Sequence, residues 1–583
     1  MESILLTLSE KQLTSFNFKY KTFKRFHIFI VGNNIKKTIL LLTIIICGNN
    51  LFAQNKLTET KKLATTAKVW GFLKYYHPEV ANGIYNWDEE LFKILPKVKK
   101  SNDKEQLSQV YLEWIDGIGK IKKCKSCNKN NELDYFNKNL DLNWIDNSNL
   151  FTKKLSDKLK VIETNRHQGK KYYVSVAHKN VGNIDITNEI EYRNFDWTNE
   201  DLRLLTLFRY WNIIEYFFSY KYQTETNWNE VLNKMIPKFL HTNDETDFHL
   251  AMLELVVSID DSHAMFGSNI TKEYFGYKGI SAKFKIIENN VIFSGFYNDS
   301  LAKLDDLRIG DIITKVDGKN IKSIFEDKLK YISGSNIPRK NNNAFYAIFN
   351  GSSDSIQIEF LRNNKTYNKS IKRYSFKDFN YKWKKEGEKY KILDGNIGYV
   401  NMGTIKIKDV PDIMEKLKDT KAIIFDIRNY PNGTLYSIAN YITSTRNDFY
   451  KVTYPDLNYP GRFIWRDGTQ CGKNGDLKYK GKVVLLVNEK SQSHAEFTTM
   501  CLQTGDNVRT IGSQTSGADG NISRIKMVGG FKTAISGIGI FYPDKTETQR
   551  KGVKIDIEIK PTIQGIINGK DEVLERAIEY INN

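Results

Sequence analysis

The chain has 583 residues, 40% of them hydrophobic and 27% charged; that is a soluble globular composition, too long for one ordinary domain, and three or four are expected. Its net charge of +19 raises the question of nucleic acid, but the lysines are interleaved with Asp, Glu and Asn. No dense basic helix, zinc-finger spacing or RNA-binding aromatic motif accompanies them, so no nucleic-acid partner is expected; the charge reads as a generally basic, Asn- and Lys-rich surface, which also favours acidic substrates or an anionic membrane surface.

In chain order, residues 1–53 read as a secretory signal. Ile35-Lys36-Lys37 precedes an apolar run from Thr38 to Cys47, followed by the polar exit Gly48-Asn49-Asn50 and the small residue Ala53. The run is too short for a spanning helix, which needs about twenty residues. Export to the periplasm or the exterior permits disulfides. Cys124-Lys125-Ser126-Cys127 is a lone C-x-x-C without the second pair that a structural zinc site needs, so a local disulfide is expected there.

Residues 54–270 contain an internal repeat. At one constant offset and with no gap, Trp70 aligns with Trp211, Tyr75 with Tyr216, Asn86-Trp87 with Asn227-Trp228, Pro96-Lys97 with Pro237-Lys238, and Asn102-Asp103 with Asn243-Asp244. Apolar residues recur at three and four spacing in each copy, which predicts two small helical units. The first lies within 54–200, an N-terminal helical region with an irregular Asn-rich linker and a strand near Tyr172–Val176. The second spans 201–270. The copies differ at their ends: the second closes on Asp260-Asp261-Ser262-His263, the first on Gly119-Lys120-Ile121-Lys122. The helices are the scaffold and the Ser-His pair an addition.

Residues 271–375 predict a compact β module in which Gly310-Asp311 is a turn, Ile312 to Val316 a strand and Asp317-Gly318 a hairpin turn. Residues 376–583 alternate strands and helices, with buried strands ending near Asp426 and Asn488, which predicts an α/β layer with chemistry at strand ends. The second of these strands leads into Ser491-Gln492-Ser493-His494-Ala495-Glu496. Ser493 and Glu496 can be read as a helix capping box alone. A serine fixed at a helix start after a buried strand also lies near amides that can hold an oxyanion.

The segment Leu307 to Ile321 resembles the central strand and turn of a PDZ domain, and Ser493-x-x-Glu496 resembles the nucleophile motif of the C-terminal-processing peptidases. The bacterial branch of that family uses a downstream Lys as base, and Ala518 stands at its place in Gly512 to Asn521. The Ser262-His263 pair ahead of the β module is similar to the tricorn-type branch. The resemblance implies a multidomain α+β protein: helical repeats, a PDZ-like module and a ClpP/crotonase-like α/β peptidase core. It implies Ser493 as nucleophile, His263 as base, Ser262 as its orienter and Glu547 as the completing carboxylate. The backbone amides of His494 and Gly433 would form the oxyanion hole. It implies polypeptide substrates offering exposed C-termini, with no metal or organic cofactor. The missing Lys leaves open a catalytically inactive peptide-binding protein of the same fold.

Overall fold

Two matching sets of helices open the chain, described here from a computed structural model over residues 57–127, 133–178, 181–379 and 387–583. The signal read at 1–53 lies outside the described residues. The first set is α1 (Glu59–Tyr76), α2 (Trp87–Lys100) and α3 (Lys104–Ile118); the second is α4 (Glu200–Phe217), α5 (Trp228–Leu240) and α6 (Glu245–Val257). Corresponding helices begin at corresponding residues because the same caps start them. Asn86 and Asn227 accept backbone N–H bonds ahead of α2 and α5, and Asp103 and Asp244 do so ahead of α3 and α6.

Each set is locked by a reciprocal tryptophan pair. The Trp70 indole donates to the Trp87 carbonyl and the Trp87 indole to the Trp70 carbonyl, both at 2.9 Å. Trp211 and Trp228 do the same at 2.9 and 3.1 Å. The two sets meet where Gly71 faces its counterpart Asn212, whose amide donates to the Ala67 carbonyl at 2.9 Å. A Cβ on Gly71 would lie 1.8 Å from the Asn212 side-chain oxygen, so only glycine permits this crossing. Cys124 and Cys127 are joined as a disulfide. The strand expected near 172–176 is Val174–Val176, paired with Ile184–Ile186.

Next comes an antiparallel sheet of β1 (Ala282–Ile287), β2 (Asn290–Phe296), β3 (Ile312–Val316), β4 (Ser355–Arg362) and β5 (Lys365–Lys372), in the order β5-β4-β3-β2-β1. Asp317 and Gly318 have φ of 46° and 76°, the two left-handed residues of a tight hairpin that pairs Val316 with Lys319. Helix α7 (Ile337–Asn343) leaves this module toward the C-terminal half.

That half is built on a sheet of β6 (Tyr390–Leu393), β7 (Ile397–Asn401), β8 (Ala422–Asp426), β9 (Lys482–Val487), β10 (Val508–Gly512) and β13 (Ile557–Glu558), all parallel except β6. Its central strands β8 and β9 are apolar along nearly their whole length because both faces are covered. Ile423, Phe425, Val483 and Leu485 share a core with α8 (Leu435–Ile442) and α9 (His494–Leu502). The alternate residues Ile424, Val484, Leu486 and Ile511 pack under α10 (Glu572–Asn582) through Val573, Ala577 and Ile581. Between β10 and β13 a hairpin, β11 (Ile522–Lys526) and β12 (Lys532–Ser536), stands apart from the sheet.

The four segments read from the sequence do not separate, and Thr58–Asn583 forms one unit. The Tyr76 hydroxyl donates to the Pro460 carbonyl and the Ser523 hydroxyl to the Ile184 carbonyl, at 2.5 and 2.7 Å. Tyr135–Phe136 adds a strand to Phe463–Asp467. The N-terminal region is therefore bolted onto the α/β half by side-chain-to-carbonyl bonds and a strand pairing from distant parts of the chain.

Candidate active site

Parallel strands deliver their loops to one end of the sheet, and β9 delivers the loop that carries Ser493. Within it Ser491 is fully buried, with its N–H on the Asn488 carbonyl at 2.8 Å and its hydroxyl on the Ile427 carbonyl at 3.3 Å. Ser491 builds the turn, and Ser493 faces the cleft. Ser493 has φ 55° and ψ −121° at the head of α9, a left-handed conformation for a non-glycine residue that costs of order 1–3 kcal/mol. A strained strand-to-helix turn is how a serine hydroxyl is pushed clear of the backbone around it.

What holds the strain is Glu496, 1% exposed. Its carboxylate accepts from the Ser493 N–H at 3.2 Å, the Thr515 hydroxyl at 2.5 Å, and the N–H groups of Gly517 and Ala518 at 2.7 and 3.0 Å. Burial raises its pKa against the pull of these four donors. Ser493 N–H also donates to the Ala518 carbonyl at 2.9 Å. Ala518, standing where a lysine base would, thus supports the serine through its backbone.

His263 arrives on the loop after α6, where Asp260 takes φ 49°. Its Nδ1 lies 2.9 Å from the Ser536 hydroxyl, which donates to Asp261 at 3.0 Å; the Ser536 N–H donates to the other Asp261 oxygen at 2.6 Å. Asp261 is 2% exposed, and its carboxylate also lies 3.7 Å from Nδ1. With Nδ1 engaged, Nε2 is the nitrogen left for proton transfer. Burial lowers the His263 pKa, Asp261 opposes that, and Arg339 adds to the lowering. The ring is neutral near pH 7, as a general base must be.

His263 and Ser493 line one cleft of about 650 Å³, together with His494, Tyr430, Arg339, Lys490 and Asp519. Tyr430 interacts there with the Ser493 side chain and with the backbone amide of His494. It therefore occupies the ground where a substrate carbonyl oxygen would meet that amide. Asp519 is 2% exposed, and burial pushes its carboxyl well above the usual range, with Glu496 adding to the rise.

Three residues sit differently from the roles read for them. Ser262 does not touch the His263 ring. It knots three loops, with its N–H on the Ser335 hydroxyl at 2.8 Å and its own hydroxyl 2.9 Å from that of Ser516. The orienting contacts belong to Ser536 and Asp261. Glu547 lies away from the cleft, bound to Lys138 at 2.9 Å, Tyr222 at 2.9 Å and Lys551 at 3.0 Å. Burial works against its charge, but these three donors outweigh burial and hold its pKa down at about 2. Gly433 has φ 75° with open space where a Cβ would be, so its glycine answers to backbone conformation rather than crowding, and it is not among the residues lining the cleft.

Residues 396–559, which contain β7 to β13, the nucleophile loop and the hairpin, match the model of Peptidase family S41. The chain carries an S41 serine peptidase domain. Among solved structures, mature CPAF complexed with lactacystin is 13% identical with a TM-score of 0.52, covering 66% of this chain and 99% of that one. A point mutant of CPAF gives 13%, 0.53, 66% and 98%. These likenesses concern the fold. The chain matches no curated protein in sequence. The S41 match begins at residue 396, so His263, Asp261 and Arg339 reach the cleft from outside the matched domain, while Ser536 and Asp519 lie within it.

Proposed function

We propose that this protein is an exported endopeptidase that hydrolyses polypeptides by acyl transfer through Ser493, with His263 as base. The observation that carries the reading is the shared cleft: a strained serine at a helix head and an oriented, neutral imidazole supplied by another part of the chain. His263 Nε2 takes the Ser493 proton as the oxygen attacks the peptide carbonyl. The imidazolium that forms is stabilised by the Ser536–Asp261 relay and returns the proton to the leaving amine. The His494 N–H, once Tyr430 moves aside, would receive the developing oxyanion; the Gly433 amide, the second donor of the family pattern, does not line the cleft. No step calls for a metal or organic cofactor.

Export is supported by the apolar run at 38–47 and by the Cys124–Cys127 disulfide, which persists in oxidising compartments. The five-stranded module is read as PDZ-like. Its edge strand β1 offers unpaired backbone to an extended peptide, which suits substrates presenting exposed C-termini.

Labelling by a fluorophosphonate tests the assignment. Wild-type protein is expected to be acylated at one site and S493A not at all; equal labelling of both rules Ser493 out. The second reading, a silent peptide-binding protein, draws on Ala518 at the place of the lysine and on Tyr430 over the serine. It requires that the wild type remain unlabelled and casein intact.

A further inference from the structure

The cleft beside Ser493 is lined by two cations, Arg339 and Lys490, that no acid among the described residues pairs. Arg339, on α7, has a buried Nε with no hydrogen-bond partner, and one of its terminal nitrogens makes a single long contact of 3.5 Å with the Glu489 carbonyl. Beside it on the cleft wall is Lys490, whose charged surroundings are Lys285, Lys283 and Arg339 against the single acid Glu489. Glu489 is already paired with Lys285 at 3.1 Å. Among the described residues, neither Arg339 nor Lys490 has a carboxylate within ion-pair distance: the acids that act on Arg339 from further off are Glu496, bonded to Thr515, Gly517 and Ala518, and Glu489. Asp519, which also lines the cleft, forms no ion pair with either of them, and burial disfavours its charged form.

An unpaired guanidinium, partly stripped of water, is a costly feature to leave in a fold. Its planar fork suits a carboxylate, and its position beside both His263 and Ser493 puts such a group next to the reacting carbonyl. We infer that the cleft selects polypeptides bearing a carboxylate beside the bond to be cut, held by Arg339 with Lys490 adding long-range attraction. This rests on the peptidase reading above. The carboxylate has two possible sources, an Asp or Glu side chain and the free end of a chain, and both offer the same two oxygens to the same fork.

The test uses the full-length protein and two pairs of fluorogenic peptides. One pair, blocked at both ends, differs only by Glu or Gln next to the cleaved bond. The other is neutral in its side chains and ends in a free carboxylate or an amide. The expected result is a kcat/KM advantage of at least about tenfold for the carboxylate member of one pair, which also identifies the source. The advantage should shrink as salt rises. R339Q is expected to bring that ratio close to one, and R339K to restore part of it, because the charge returns without the fork.

Ratios near one in both pairs for wild-type protein whose Ser493 still takes up a neutral fluorophosphonate overturn this inference and leave the peptidase reading standing. A preference for a Lys-bearing peptide overturns it as well. If the wild type neither cleaves any peptide nor reacts at Ser493, the peptidase reading fails and this inference fails with it. Should R339Q lose fluorophosphonate uptake, its site has collapsed, and the wild-type ratios alone decide.

Discussion

The residue on which the proposed chemistry turns is His263, and its protonation is set by burial and two charged neighbours whose effects differ in sign. Burial lowers its pKa, Asp261 raises it and Arg339 lowers it again, with a net fall below 6.5. A base must be neutral to act, so kcat/KM should hold steady as pH falls from 8 past the ordinary imidazole range and decline only below it. Replacing Asp261 with Asn removes the one group that favours the imidazolium. The acid limb of the pH profile should then move lower still, while kcat drops by roughly 10²-fold or more as the ring loses its anchor. An acid limb at or above pH 7 in the wild type is incompatible with this electrostatic account. Tyr430 raises a separate question, because it interacts with the Ser493 side chain and the His494 backbone, the two groups that the proposed mechanism uses. Y430F keeps the ring and removes the hydroxyl. Fluorophosphonate should label this variant several times faster than wild type, and a slower rate would mean that the hydroxyl assists acylation instead.

At the scale of elements, the helical repeats were readable in the sequence because their determinants are local: an Asn or Asp cap, a tryptophan at a fixed position, an apolar stripe. Local signals also marked Ser493, where strand, turn and helix start follow one another within a dozen residues. The partner of His263 gave no such signal. Ser536 ends β12 in a hairpin distant along the chain, and a serine at a strand end carries no motif; only tertiary packing brings it to 2.9 Å from Nδ1. Asp261 is visible beside the histidine, yet the sequence points to Ser262 instead, since adjacency does not say which way a side chain turns. The crossing of α1 and α4 gives an expectation of its own. Gly to Ala inside a helix ordinarily gains about 1 kcal/mol from propensity. At Gly71 the new Cβ would fall 1.8 Å from Asn212, and Asn212 cannot swing away because its amide bonds the Ala67 and Phe208 carbonyls at 2.9 and 2.8 Å. Overpacking of this kind costs roughly 1–3 kcal/mol and should win, so G71A is expected to unfold at lower urea. Adding N212A should recover part of the loss, whereas additive effects of the two changes would mean that they do not meet.

For the whole molecule, the question is what keeps His263 and Ser493, from different regions of the chain, on one cleft, and Glu547 belongs to that problem. Its carboxylate joins Lys138 and Tyr222 from the N-terminal half to Lys551 beside it, and these donors hold its pKa at about 2 against about 4.3 for a free glutamate. A depressed carboxylate stabilises the fold above its unfolded pKa, and the contribution disappears as pH falls through the folded value. E547Q should therefore lower Tm at pH 7, with the difference from wild type narrowing between pH 4.5 and 2. A residue that completes the catalytic site would behave otherwise, because its replacement would depress kcat under conditions where the fold is intact. Measured at 25 °C and pH 7, kcat of E547Q is expected to stay within a few-fold of wild type, while D261N loses its orders of magnitude. A loss in E547Q as deep as that in D261N would return Glu547 to the chemistry. It would also require the two halves to close on each other during turnover, since in this structure the Glu547 carboxylate is spent on holding them together.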